Sequence, residues 1–72
     1  MNIVHIDNRG LTPPEPMVRI LAACESLGPD DRIEARMDRR PIFLFPELDE
    51  LKMRYECIEQ PDGGYLLTVE RA

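Results

Sequence analysis

The chain has 72 residues, of which 43% are hydrophobic and 32% are charged, and its formal net charge is −5. A chain of this length forms one small globular domain whose core is too thin to enclose a deep enzyme cavity. Positions 1–40 hold six arginines and seven acidic residues, whereas positions 41–72 hold three basic and seven acidic residues. This acidic balance argues against non-specific binding to nucleic acid or to anionic membranes, because both require a basic surface.

Targeting signals and metal ligands are sparse. No apolar run approaches the roughly 20 residues of a membrane span, and the N-terminus lacks the basic and apolar regions of a signal peptide. We therefore expect a cytoplasmic protein in which Cys24 and Cys57 are reduced thiols. One histidine and no C-x-x-C pair cannot supply the usual ligands of a structural zinc site, so we expect neither a metal nor another cofactor.

The first half of the chain predicts a strand, a helix and a second strand. Asn2–Asp7 is a short apolar strand that ends in a turn at Asn8-Arg9-Gly10. Pro14–Leu27 is the main amphipathic helix. Its apolar stripe consists of Met17, Ile20, Leu21, Cys24 and Leu27. Thr12 and Glu15 have the spacing of a capping box, but Pro13 is restricted by Pro14, so we place the cap at Pro13 and the first helical residue at Pro14.

The second strand, Asp31–Asp38, alternates between apolar and polar residues. The apolar run at residues 42–45 follows Arg40-Pro41; a short buried strand is possible there, but we interpret it as the apolar segment that leads into a helix spanning Pro46–Lys52. Two further strands, Arg54–Gln60 and Gly64–Arg71, surround a Pro-Asp-Gly-Gly loop, which is a strong hairpin signal.

The predicted order is β-α-β-α-β-β, an α+β fold with a four-stranded mixed sheet. Right-handed crossovers place both helices on the same face, which gives a two-layer sandwich. The opposite face carries residues such as His5, Arg36 and Glu56, and we expect it to be solvated or used for contact.

The segment Arg9-Gly10-Leu11-Thr12-Pro13-Pro14-Glu15-Pro16, with Asp7 before it and Gly28-Pro29 after the helix, resembles the TusA/SirA sulfur-carrier family. The resemblance covers nearly the whole chain and implies the same β-α-β-α-β-β fold. Members of that family carry persulfide sulfur on a cysteine immediately before the Pro-x-Pro motif. They pass this sulfur to partner proteins for tRNA thiolation and other sulfur-transfer routes.

Pro13 occupies the position of that cysteine here, so the carrier nucleophile is absent. Pro14 and Pro16 also lack N–H groups, and Glu15 adds negative charge, which makes this helix start a poor anion site. The chain is more similar to an uncharacterised bacterial sister family of TusA-like domains, which shares the Asp-x-Arg-Gly-Leu-x-Pro-Pro-Glu-Pro segment, a following Asp-Arg pair and a Pro-Glu-Leu.

We therefore predict a non-catalytic binding or accessory domain that contacts a protein partner. Parallel strands end at the same end of a sheet, so the helix start and the end of the second strand are expected to lie together. The candidate surface consists of Arg9, Gly10, Pro13, Pro14, Glu15, Pro16, Asp38, Arg39 and Arg40. A structural alternative is that these arginines are solvated and paired with Asp7 and Asp38.

Two other functions remain open at this stage. The first is sulfur transfer or redox chemistry through Cys57 or Cys24, although the helical stripe favours a buried, inert Cys24 and the nearby Glu56 and Glu59 disfavour a Cys57 thiolate. The second is RNA binding, since related folds occur in the C-terminal domain of a translation initiation factor. The acidic net charge argues against it.

Overall fold

A computed structural model describes residues 2–72 and confirms the predicted order of elements. The elements are β1 (Ile3–Asp7), α1 (Glu15–Glu25), β2 (Arg32–Met37), α2 (Phe45–Glu50), β3 (Met53–Glu59) and β4 (Tyr65–Arg71). Their bounds differ from the predicted ones by one or two residues, which is the ordinary uncertainty at the ends of helices and strands.

The four strands form one mixed sheet in the order β1-β2-β4-β3. β1 pairs with β2 in parallel, and β4 lies antiparallel to both β2 and β3. β2 and β3 therefore run in the same direction on either side of β4. The ends of β1, β2 and β3 and the beginning of β4 all lie at one end of the sheet, which we call the site end.

The core lies between the sheet and the two helices. Period-two alternation directs one side of each strand inward, and the predicted helical stripe of α1 packs over it. The buried apolar residues are Ile20, Cys24, Leu27, Ile33, Ala35, Met37, Leu44, Leu48, Met53, Leu67 and Val69. Since α1 and α2 both contribute to this single cluster, both helices cover the same face, as predicted.

The other face of the sheet is open. His5, Arg36 and Glu56 are all exposed there, as the alternation predicts. Arg32 and Glu34 form an ion pair within β2 at 3.1 Å, and the ion pair of Arg54 with Glu70 at 3.4 Å joins β3 to β4.

The end of α1 differs from the prediction, because the helix ends at Glu25 rather than Leu27. The amides of Ser26 and Leu27 bond to carbonyls three residues back, which tightens the last turn. Arg71, at the end of β4, donates from its guanidinium to the carbonyls of Cys24 and Leu27 and so caps the helix from a distant part of the chain.

α2 spans Phe45–Glu50 instead of Pro46–Lys52. It ends early because Lys52 adopts a left-handed conformation (φ 59°), which turns the chain directly into β3.

The beginning of β1 and the end of β4 lie at the end of the sheet opposite the site end. Ile3 pairs with Arg32 in β2, and Arg32 in turn pairs with Glu70 in β4. The first strand therefore begins, and the last strand finishes, away from the candidate residues.

Candidate functional site

Two chain segments meet at the site end of the sheet. The amide of Asn8 donates to the carbonyl of Arg36 at 2.9 Å, which continues the β1–β2 pairing by one bond. The amide of Gly10 then donates to Oδ2 of Asp38 at 2.6 Å. Gly10 has a φ of 82°, a conformation that suits glycine, and this turn directs its amide toward β2.

Asn8 joins three elements beneath this contact. Its side chain is 2% exposed, and Nδ2 donates to the carbonyl of Pro16 at 3.1 Å and contacts Sδ of Met37 at 3.4 Å. The end of β1, the first turn of α1 and the end of β2 are thus held by one amide group. Turn propensity explains an Asn at this position, but its burial depends on segments that are far apart in sequence.

Arg9 is committed to an ion pair with Asp7. Its Nε and Nη2 donate to the two carboxylate oxygens at 2.9 Å each, and its backbone amide donates to Oδ1 at 3.1 Å. These hydrogen bonds hold the pKa of Asp7 well below its ordinary value. The same carboxylate raises the pKa of Arg9, with smaller contributions from the charges of Asp62 and Asp38. The paired alternative is therefore confirmed for Arg9.

Among the described residues, Asp38 forms no ion pair with its neighbouring arginines, contrary to that alternative, and its Oδ2 accepts a hydrogen bond from the Gly10 amide. Arg39 and Arg40 are both exposed. Within residues 2–72, neither guanidinium has a carboxylate at ion-pair distance. The site end therefore presents two arginines without acidic partners from the described part of the chain.

The start of α1 corrects one prediction. Pro14 is the cap residue and Glu15 the first helical residue, so the helix starts one position later than predicted. The amide of Glu15 bonds to the Thr12 carbonyl at 3.0 Å, and this turn delays the first helical angles. No side chain caps the helix, so the capping-box spacing of Thr12 and Glu15 has no structural counterpart.

This helix start carries no nucleophile. Pro13, Pro14 and Glu15 are exposed, Pro16 is half-buried, and the Pro13–Pro14 peptide bond is cis. Two of these prolines lie where free N–H groups would otherwise face an anion, and the exposed Glu15 adds negative charge to the same turn. The segment is a shaped, donor-poor surface.

Sequence reasoning missed Ile42 and Phe43, which belong to the same end of the fold. The apolar run at residues 42–45 is not a strand; residues 42–44 form a turn and Phe45 begins α2, which confirms that the run leads into the helix. Leu44 is buried, but Ile42 is 56% and Phe43 80% exposed. Their exposure could not be read from the run itself, because four consecutive apolar residues predict burial under either a helix or a strand.

Both thiols have raised pKa values. Burial raises the pKa of Cys24, and the nearby Arg71 opposes this only in part. Burial also raises the pKa of Cys57, against the opposing charge of Arg40. The prediction of a disfavoured Cys57 thiolate is confirmed, but its stated cause was wrong: Cys57 lies on the core side of β3, packed against the hydrophobic cluster, and not beside the flanking glutamates.

The open face of the sheet holds two shallow concavities of about 190 and 390 Å³. The larger is lined by residues of both charges, His5, Asp7, Arg9, Glu34 and Arg36 among them. Among residues 2–72, no three His, Cys, Asp or Glu side chains are grouped as metal ligands. In the same range, no helix has the length and apolarity needed to cross a membrane.

A family model described as "Uncharacterized conserved protein (DUF2249)" matches residues 5–71, which is nearly the entire chain. The chain therefore belongs to this family. No curated protein and no solved structure shows significant similarity to it.

Proposed function

We propose that this member of the DUF2249 family is a non-catalytic binding module that contacts a protein partner through the site end of its sheet. The contact surface is Arg9–Pro16 together with Asp38–Arg40. The proposal depends most on one observation: the two segments are joined directly, by the Gly10 amide and the Asp38 carboxylate at 2.6 Å. A continuous surface of both segments is therefore preformed.

The chemistry of that surface supports contact rather than catalysis. It contains no thiol, hydroxyl pair or imidazole, and its centre is proline-rich. Asp7 and Arg9 neutralise each other, and the other charged side chains of this surface, Glu15, Asp38, Arg39 and Arg40, are all exposed. Rigid, donor-poor segments flanked by arginine are suited to protein recognition, because little conformational entropy is lost on binding.

We also propose that the domain is related to the TusA/SirA-like group and lacks its sulfur-carrying step. The motif around Pro13 supports this relationship, since it preserves the Pro-x-Pro helix start without the preceding cysteine. Cys24 is buried, Cys57 is half-buried, and burial raises the pKa of both thiols, which favours the binding role over sulfur transfer through either residue.

Chemical-shift mapping tests the contact surface. The ¹⁵N-labelled domain is titrated with a partner that co-purifies with it from its native host. We expect perturbed amides at Arg9–Gly10, Leu11–Thr12 and Asp38–Arg40. Perturbations confined to the opposite end, around Gly28–Asp31 and the end of β4, would contradict the proposal.

Mass spectrometry tests the absence of sulfur transfer. The protein is incubated with a cysteine desulfurase and cysteine, and the mass of each cysteine-containing peptide is measured. We expect no added sulfur on Cys24 or Cys57, because the raised pKa values keep both thiols protonated. A persulfide on either residue would restore the sulfur-carrier function.

A further inference from the structure

We infer that the turn Pro41–Leu44 is the anchor of this contact surface, and that its partner is a folded protein with an apolar pocket rimmed by carboxylates. This inference rests on the proposed binding function and names the chemistry of the partner. Its determinants are Phe43 and Ile42 as the apolar anchor and Arg39 and Arg40 as the flanking cations.

The turn itself is the first argument. The amide of Leu44 donates to the carbonyl of Pro41 at 3.0 Å, so Ile42 and Phe43 occupy the two central positions of a β-turn. Those positions ordinarily carry Gly, Asn, Asp, Ser or Pro, each for a conformational reason. A β-branched residue and an aromatic residue gain nothing from the turn, and the fold does not bury them.

Exposure separates these two residues from the rest of the run. Phe43 is 80% exposed, the highest value among the exposed large hydrophobic residues of the described chain. Leu44 is buried in the core, and Phe45 packs against it. Leu44 and Phe45 therefore pack α2 against the core, whereas Ile42 and Phe43 remain exposed. Exposed apolar residues that lie together are typical of an interaction site.

The local charges indicate what the partner presents. Three aspartates at the site end are turned toward backbone amides: Asp7 accepts from Arg9, Asp38 from Gly10 at 2.6 Å, and Asp62 from Gly64 at 3.1 Å. Among residues 2–72, neither Arg39 nor Arg40 has a carboxylate at ion-pair distance. Although the whole chain is acidic, the charged residues that directly precede the turn of Phe43 are the exposed Arg39 and Arg40, so a partner surface that contacts the ring and these two cations is complementary when it carries carboxylates.

The guanidinium of Arg40 is also preorganised by contacts within the domain. It lies over the ring of Phe45 at 5.2 Å, and Phe45 stacks on Tyr55 with ring centroids 5.1 Å apart. The Tyr55 hydroxyl donates to Asp49 at 2.9 Å, and this hydrogen bond holds the Tyr55 ring in its position against Phe45. A cation fixed in this way loses little side-chain entropy on binding.

The shape of the anchor decides between a folded partner and an acidic peptide. Phe43 projects from a turn and is not the floor of a groove, so the pocket must belong to the partner. A folded surface supplies such a pocket, whereas a flexible peptide or a nucleic acid does not. Aromatic anchors seated in pockets and ringed by polar contacts carry most of the affinity in protein interfaces.

Photo-crosslinking identifies the partner and tests the inference. A photoreactive phenylalanine analogue replaces Phe43 in the full chain, which is expressed at native level in its host, and the crosslinked peptides are sequenced. We expect peptides from one folded protein with several Asp or Glu residues around the crosslinked position. Crosslinks to nucleic acid, to a second copy of this chain alone, or to no macromolecule would each overturn the inference.

Affinity measurements with that purified partner complete the test. Phe43→Ser is expected to weaken binding at least tenfold. Arg39→Glu/Arg40→Glu is expected to slow association and to reverse its dependence on ionic strength, because added salt then screens a repulsion and no longer an attraction. Leu51→Ser is the matched apolar control, because Leu51 is also exposed but lies at the far end of the fold. Lys52→Glu/Arg54→Glu is the charge control, since it changes the net charge equally at that far end.

The two proposals fail in different ways. If shift mapping places the contact at Arg9–Pro16 and Asp38–Arg40 but Phe43→Ser binds as tightly as the wild type, the binding function stands and the anchor is wrong. If the contact maps elsewhere, both are wrong. Because Phe43 lies outside the core, its substitution should leave the unfolding midpoint unchanged, and circular dichroism verifies this for each variant.

Discussion

Asn8 shows how much one small polar residue can determine at the residue scale. Its amide nitrogen reaches the Pro16 carbonyl and the Met37 sulfur, while Oδ1 is buried without a hydrogen-bond partner among the described residues. A buried donor with two contacts is stabilising, but the unpartnered oxygen offsets part of this gain. The geometry of the site end thus has an energetic cost that is concentrated on this side chain.

The change in the free energy of unfolding caused by a substitution of Asn8 should therefore depend on which atom replaces the amide nitrogen. Asn8→Ala removes the donor and also the unpartnered oxygen, so we expect a loss of about 1 kcal/mol in the free energy of unfolding. Asn8→Asp places a carboxylate oxygen opposite the Pro16 carbonyl and should cost about 3 kcal/mol. Urea unfolding measures both. An Asp variant as stable as the Ala variant would contradict this assignment of the amide.

Asp7 gives the domain a defined response to acid. Its pKa is lower in the folded state than its ordinary value of 3.8, chiefly because Arg9 donates to the carboxylate. A group with a depressed folded pKa adds stability above its unfolded pKa and loses it as the pH falls toward the folded pKa. Stability should thus decline below about pH 4, and part of that decline should come from Asp7.

Urea unfolding at pH 7 and pH 2.5 isolates this contribution. Asp7→Asn should be less stable than the wild type at pH 7, and the difference should shrink at pH 2.5. Asp30→Asn is the control, because no hydrogen bond or ion pair of Asp30 is seen within residues 2–72. An equal pH dependence in all three proteins would show that the Asp7–Arg9 pair does not contribute.

At the element scale, α1 is stabilised at its two ends by groups that it does not contain. Its first turn has no side-chain cap, and its last turn has no basic residue. In place of a basic residue within the helix, Arg71, the last residue of β4, donates to the carbonyls of Cys24 and Leu27. The guanidinium complements the negative end of the helix dipole and ties the first helix to the final strand.

Arg71→Ala should lower the free energy of unfolding by about 1 kcal/mol, because it removes a charged donor from two helix-terminal carbonyls. Arg71→Lys should recover only part of this loss, since an ammonium cannot reproduce the fork of the guanidinium. Arg54→Ala controls for the loss of one arginine from an exposed ion pair. Equal effects of the Arg54 and Arg71 substitutions would rule out a specific capping role.

The elements that follow a local period could be predicted, and those that depend on distant partners could not. The stripe at Ile20 and Cys24 and the alternation at Ile33 and Ala35 fix which faces are buried, and both predictions are confirmed. Asn8 and Arg71 act across segments far apart in sequence, and no local pattern reveals such contacts. Phe43 was the hardest case, because its hydrophobicity predicts the opposite of its exposure.

At the scale of the whole molecule, the fold separates its chain ends from its candidate surface. Strands β1 and β4 carry the ends of the described chain at one end of the sheet, while Arg9–Pro16 and Asp38–Phe43 lie at the other. The β3–β4 turn also lies at the site end, as the pairing of Glu59 with Tyr65 shows. Attachments at these different positions should therefore affect partner binding differently.

A folded carrier domain fused to either chain end should leave partner affinity within about twofold of the unfused protein, whereas the same domain inserted between Asp62 and Gly63 should weaken it strongly. The reason is steric, because only the insertion lies beside the proposed surface. Isothermal titration calorimetry with the crosslinked partner, once purified, measures all three. An insertion variant that binds normally would place the interface on another part of the domain.

The position of the chain ends has a consequence for how the domain can be used in a larger architecture. β1 and β4 are separated by a single strand, so the first and last strand residues lie about 10 Å apart. A domain whose first and last strands begin and end close together can be inserted into a loop of another protein, or repeated in tandem, without distorting its neighbours. In such an arrangement Phe43 would lie at the end of the domain that is farthest from the points where the host chain enters and leaves it.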